Sequence, residues 1–136
     1  MLSLMLLSNN LVSLDVPNIP TKKELKCLAT NVYREARGEP MEGQITVAKV
    51  TLNRVYSGKY PSSICGVVYQ KNQFSWTKRY KNIVYNFEAI NASIIAYNSS
   101  DDVKYTHYHV KTIRPSWSKR LEEGITIGNH TFYLDK

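Results

Sequence analysis

The sequence predicts an α+β domain, mainly helical with a small antiparallel sheet, and three observations carry that expectation. Between Thr21 and Val55, and again from Phe87 to Tyr97, apolar residues recur at helical spacing. After Asp102 the period shortens to that of a strand. Near the end of the chain, Gly128-Asn129 separates two β-prone runs, a hairpin signature. With 136 residues, 43% of them apolar, the chain is long enough for one core and too short for two.

Residues 1–20 read as an N-terminal arm and linker, and 21–136 as a single domain. The apolar run from Met1 to Leu14 is interrupted by Ser8, Asn9 and Asn10 and is too short to span a bilayer. It has no positive start and no clear small-residue cleavage site, so it reads as a leader arm rather than a secretory signal, with Pro17 and Pro20 in the linker.

Thr21 followed by Glu24 is a capping-box pattern that opens a helix through about Ala36, and Gly38 ends it. Leu25, Leu28, Ala29 and Val32 form its apolar stripe, and Glu35 falls on the same stripe. An acid so placed is partly desolvated, which favours its neutral form. Pro40 suits the first turn of a second helix, whose Ile45, Val47, Ala48, Val50, Leu52 and Val55 crowd one side and predict burial.

Gly58, Pro61 and Gly66 mark Tyr56 to Gln70 as a loop with a short helical turn near Ile64 to Tyr69. In the next helix Phe87, Ile90, Ile94 and Tyr97 form the apolar stripe, with Ala89, Ala92 and Ala96 permitting close approach of neighbours. Alternation then places Val103, Tyr105, His107 and His109 on one face of a strand, and Lys104, Thr106, Tyr108 and Val110 on the other. Ile125 to Ile127 and His130 to Leu134 are the two arms of the hairpin.

A net charge of +7 implies an anionic partner, either nucleic acid or a bacterial envelope. No helix-turn-helix, zinc-finger or RNA-binding signature supports the first. The ten tyrosines prove little by number, since AT-rich coding also enriches them. Cys27 and Cys65 can make at most one bridge and read as two small buried residues.

Several separated motifs occur in one order: Cys27 to Arg54, Tyr60-Pro61, Cys65 to Gln70, Gln73-Phe74-Ser75-Trp76, Thr106-His107-Tyr108-His109, Pro115-Ser116-Trp117 and Ile127 to Tyr133. Together they resemble the SleB-type cell wall hydrolases, a family named for spore-cortex-lytic enzymes that also includes phage proteins. The resemblance covers nearly the whole chain after Leu25. It implies a lysozyme-like or resuscitation-factor-like fold and cleavage of peptidoglycan between N-acetylmuramic acid and N-acetylglucosamine. It also implies that the first Glu of Glu-Ala-Arg-Gly-Glu, here Glu35, is the catalytic acid.

A hydrolytic glycosidase ordinarily needs two carboxylates, whereas a lytic transglycosylase works with one. Glu39, beyond the break at Gly38, reads as a helix N-terminal acid ahead of Pro40. Glu42, Asp101 and Asp102 read as solvated, and Arg37 as an ion-pair partner of the turn or a surface residue. The single acid Glu35 therefore predicts transglycosylation. Gln73, Phe74, Ser75 and Trp76 combine hydrogen-bonding groups with aromatic faces, as a sugar cleft requires, although Phe74 would equally anchor a loop in the core, a reading that fits the two aromatics together less well. His107, Tyr108, His109 and Trp117 are further substrate-binding candidates, with Tyr105 as added aromatic surface.

The expectation is thus a cofactor-free, metal-free monomer acting on peptidoglycan glycan strands, with no nucleic-acid partner and no stable membrane insertion. One catalytic domain without repeated wall-binding modules points to a phage endolysin for host lysis, made in the host cytoplasm and acting in the periplasm or cell wall. Two alternatives remain: a muramidase using a second carboxylate, and a metal-dependent N-acetylmuramoyl-L-alanine amidase using His107, His109 and His130.

Overall fold

A computed structural model of the protein describes residues 19–135. The arm expected over residues 1–20 lies outside the described residues as far as position 18. Helix α1 (Lys22–Ala36) opens at Thr21, whose hydroxyl accepts from the Glu24 amide at 3.2 Å. Only half of the capping box forms, because the Glu24 carboxylate accepts from the Cys65 amide instead. Leu28, Ala29 and Val32 have no exposed surface. Gly38, in the left-handed region at φ +85°, makes the turn into α2 (Met41–Ser57), with Pro40 at the N-cap rather than inside the first turn.

Helix α2 is the centre of the domain. Its Val47, Ala48 and Val50 are fully covered, and it packs against α1, the short α3 (Ile64–Val68), α4 (Phe87–Tyr97) and the sheet. The apolar stripe expected on α4 is displaced. The helix meets the core through Ala89, Ala92, Ser93 and Ala96, while Phe87 is 76% exposed. Small side chains let α4 approach α1 and α2 closely, and that approach leaves the bulkier residues on the flanks.

Strands β1 (Tyr105–Val110), β2 (Glu122–Ile127) and β3 (His130–Leu134) form an antiparallel sheet in the order β1-β3-β2. The β2–β3 hairpin turns at Gly128, where φ is +56°. Val103 and Lys104 fall outside β1, and the simple alternation fails at its start. The register shifts between Tyr105 and His107, so Tyr105 joins Tyr108 against Phe132 rather than sharing a face with the histidines.

The cysteines also depart from expectation. Cys27 on α1 and Cys65 on α3 are joined in a disulfide, with their Cα atoms 5.3 Å apart. Thirty-eight positions separate them, so nothing local in the sequence signalled the pairing.

Candidate active site

Glu35 stands in the last turn of α1, where the helix gives way to the Gly38 turn. A cavity of about 390 Å³ opens on one side, walled by Arg54, Gln73, Phe74, His107, Tyr108 and Trp117. A second, of about 300 Å³, opens on the other, walled by Glu39, Lys111, Asn129 and His130. Glu35 lines both cavities.

The Tyr108 hydroxyl donates a hydrogen bond to Glu35 Oε1. Burial pushes the Glu35 carboxyl above the ordinary range, opposed by this hydrogen bond and by the charge of Arg54. Burial and the neighbouring carboxylate push the Tyr108 phenol well up, so it stays neutral and remains a donor. A carboxyl whose proton is held more tightly by burial, beside a donor that steadies the anion, can both give and take a proton.

Arg54 is the functional candidate missed in the sequence. It is only 5% exposed, its Nε donates to the Thr106 carbonyl at 2.8 Å, and its Nη1 donates to Gln73 Oε1 at 3.2 Å. The guanidinium also lies over the rings of Tyr60 and Phe74. A signal existed: Arg54 continues the spacing of Val47 and Val50 along the buried face of α2.

Glu39 stands just ahead of the Pro40 N-cap of α2, as expected, but its carboxylate is engaged by the β2–β3 turn. Its Oε1 accepts from the Asn129 backbone amide at 2.8 Å and its Oε2 from the Asn129 side chain at 2.9 Å, and these bonds hold it below the usual carboxylate range. It clasps the β2–β3 turn within the second cavity. Arg37 donates to the Tyr33 hydroxyl at 2.9 Å on the exposed surface.

The other candidates divide. Gln73, Phe74, His107, Tyr108, His109 and Trp117 come together around the first cavity. Trp76 does not: it is 6% exposed, and its indole donates to the Asn31 side chain at 2.9 Å in the core. Ser75 is exposed beside it and outside the cavity wall. Tyr108 belongs to the carboxyl rather than to a stacking surface, its ring packed against His130 and Phe132.

The histidines are not gathered as ligands. His109 Nδ1 donates to the Val110 carbonyl and Nε2 is hydrogen-bonded with the Tyr133 hydroxyl, each at 2.8 Å, so both ring nitrogens are engaged. His107 packs against Trp117, whereas His130 lies 3.8 Å from Glu39 in the other cavity. Among the described residues, no three His, Cys, Asp or Glu side chains are grouped to hold a metal ion.

Residues 38–133 match the family described as Cell Wall Hydrolase. The chain belongs to the cell wall hydrolase family. It is 30% identical over 127 residues to a spore cortex-lytic enzyme of Oceanobacillus iheyensis, covering 88% of this chain and 45% of that protein. To the spore cortex-lytic enzyme of Bacillus subtilis it is 31% identical, covering 89% of this chain and 41% of that one. It thus spans less than half the length of these relatives.

Among solved structures, the catalytic domain of the germination-specific lytic transglycosylase SleB from Bacillus anthracis superposes with a TM-score of 0.76 at 32% identity, over 87% of this chain and 99% of that one. The catalytic domain of Bacillus cereus SleB gives 0.75 at 31% identity, over 87% and 94%. The helical domain with its small antiparallel sheet is therefore the fold of these catalytic domains. The family match begins just after Glu35, so within this cell wall hydrolase Glu35 is singled out by lining both cavities.

Proposed function

We propose that the protein cleaves the bond between N-acetylmuramic acid and N-acetylglucosamine in peptidoglycan as a lytic transglycosylase, with Glu35 as acid and then base. The carrying observation is a half-buried carboxyl whose residue lines two cavities and which accepts a hydrogen bond from a neutral phenol. Protonated Glu35 gives its proton to the glycosidic oxygen as the bond from the muramoyl C1 breaks. The Glu35 carboxylate, held by Tyr108, then takes the proton of the same sugar's 6-hydroxyl. That oxygen closes on C1, leaving a 1,6-anhydro ring and regenerating the acid. No water enters the products.

Glu39 supports the second reading, hydrolysis, to the extent that it lines the same cavity as Glu35. Both of its oxygens are already engaged by Asn129, which favours the single-acid route. Mass analysis of products from purified sacculi tests the choice. Anhydromuramoyl ends are expected, and reducing muramoyl ends would overturn transglycosylation in favour of a water-activating carboxylate.

Action beyond the reducing cytoplasm is supported by the Cys27–Cys65 bridge. The relatives carry the name of spore cortex lysis, so the host-lysis role of an endolysin rests on the sequence reading alone. Among the described residues no helix is long and apolar enough to cross a membrane.

Tyr108→Phe supplies a pH prediction. Losing the donor destabilises the Glu35 carboxylate, so its pKa climbs further. The alkaline limb of kcat/KM, where the required acid form is lost, is expected to move up by roughly one pH unit. An unmoved limb in the pH–rate profile would remove Tyr108 from the proton-transfer apparatus.

A further inference from the structure

The first cavity contains a polar device that general acid–base chemistry does not use. Arg54, buried at the end of α2, spans from the Thr106 carbonyl on β1 to the side chain of Gln73 in the loop before the short helical turn Ser75–Lys78. A guanidinium only donates, so the atom it meets has to be the Gln73 amide oxygen. That fixes the amide: its oxygen is taken, and its NH₂ group is the remaining polar face of an exposed side chain at the cavity wall. Asn72, at φ +65°, sets the turn that brings Gln73 there, and the Gln73 amide N–H closes it onto the Gln70 carbonyl at 3.2 Å. Trp117, half-buried, supplies an apolar wall of the same cavity.

We propose that Gln73, oriented by Arg54, is a specificity-determining residue whose amide nitrogen donates to the acetamido carbonyl of an N-acetylated sugar. Resting on the glycan-cleft reading above, this assigns the first cavity an N-acetylhexosamine in preference to a neutral hexose without the acetamido group. An acetamido group needs a donor for its carbonyl and an apolar surface for its methyl, and Gln73 together with the half-buried Trp117 on the same cavity offers that pair. Arg54 acts through Gln73 and is a positioning residue. Its buried guanidinium cannot be turned without breaking the bond to Thr106.

Gln73→Glu is the discriminating substitution, because it keeps an oxygen for Arg54 and replaces the NH₂ donor with an acceptor. Gln73 is exposed, so the fold does not depend on it. Binding is read by titration calorimetry on a Glu35→Gln background, with a tetramer of β-1,4-linked N-acetylglucosamine and the uncharged tetramer of β-1,4-linked glucose, which lacks the acetamido groups, as probes. The N-acetylated tetramer is expected to bind more tightly, and Gln73→Glu to reduce that preference about tenfold or more. Arg54→Lys, which keeps the charge but loses the fork, should lower the same ratio and have no further effect when combined with Gln73→Glu.

Equal weakening toward both tetramers, or an unchanged ratio, would overturn the acetamido assignment, since sugar hydroxyls are common to the two probes. Additive effects of the two substitutions would overturn the positioning role of Arg54. Binding of neither tetramer to the Glu35→Gln protein would instead overturn the glycan-cleft reading on which the inference rests.

Discussion

Glu35→Gln is expected to reduce cleavage of purified sacculi by roughly 10²–10⁴-fold, toward the upper end because one group supplies both the acid and the base. Binding of glycan should persist, since the amide fills the same volume and can still accept from Tyr108. Lysis by this variant at the wild-type rate would sink the mechanism.

Stability should move the other way. The folded state raises the Glu35 pKa, so between the unfolded and folded values the native protein holds more protons than the unfolded chain. Stability contributed by this group is therefore present at low pH and is lost as pH rises through that window. A neutral amide has no such dependence, and denaturation midpoints of the variant should equal or exceed those of the wild type at neutral pH. On the proposed mechanism this acid is held at a cost to the fold, as expected of a group placed for chemistry.

The second large effect concerns the bridge between α1 and α3. Cys27→Ser with Cys65→Ser, or reduction of the native protein, is expected to destabilise the fold by about 4 kcal/mol on the chain-entropy estimate for a closed loop of this size. That is a large share of the total stability of an ordinary domain. Urea denaturation with and without reductant measures it, and coincident curves would show that the bridge adds nothing. Because α1 carries Glu35, activity at elevated temperature should fail in the reduced protein before it fails in the oxidised one.

The legible parts of the fold were those written in neighbouring residues. Thr21 and Gly38 bracket α1, Pro40 marks the start of α2, and Gly128-Asn129 marks the hairpin, all through local backbone chemistry. The illegible parts depend on residues far apart in the chain. The irregularity between Tyr105 and His107 moved one aromatic to the other face, and no alternation rule contains it. Trp76 was split from Phe74 by a bond to Asn31 on α1, and the two cysteines met only because α3 folds onto α1.

Within the candidate site, Glu35 stood out because an acid on an apolar stripe conflicts with its surroundings. Arg54 presents the same conflict on α2 and escaped notice because a long basic side chain is ordinarily read as surface. Glu39 was placed by its proximity to Pro40, whereas its partner is Asn129, ninety positions away. A local dipole argument cannot see such a partner.

The order in which these partners leave the ribosome has its own consequence. The acid at position 35 is synthesised early, but the phenol that bonds it comes 73 residues later, and the turn clasped by the neighbouring Glu39 comes later still. On the proposed mechanism, a chain cut short before β3 would carry Glu35 without the strand that pairs with that of Tyr108 and without the turn that Glu39 holds.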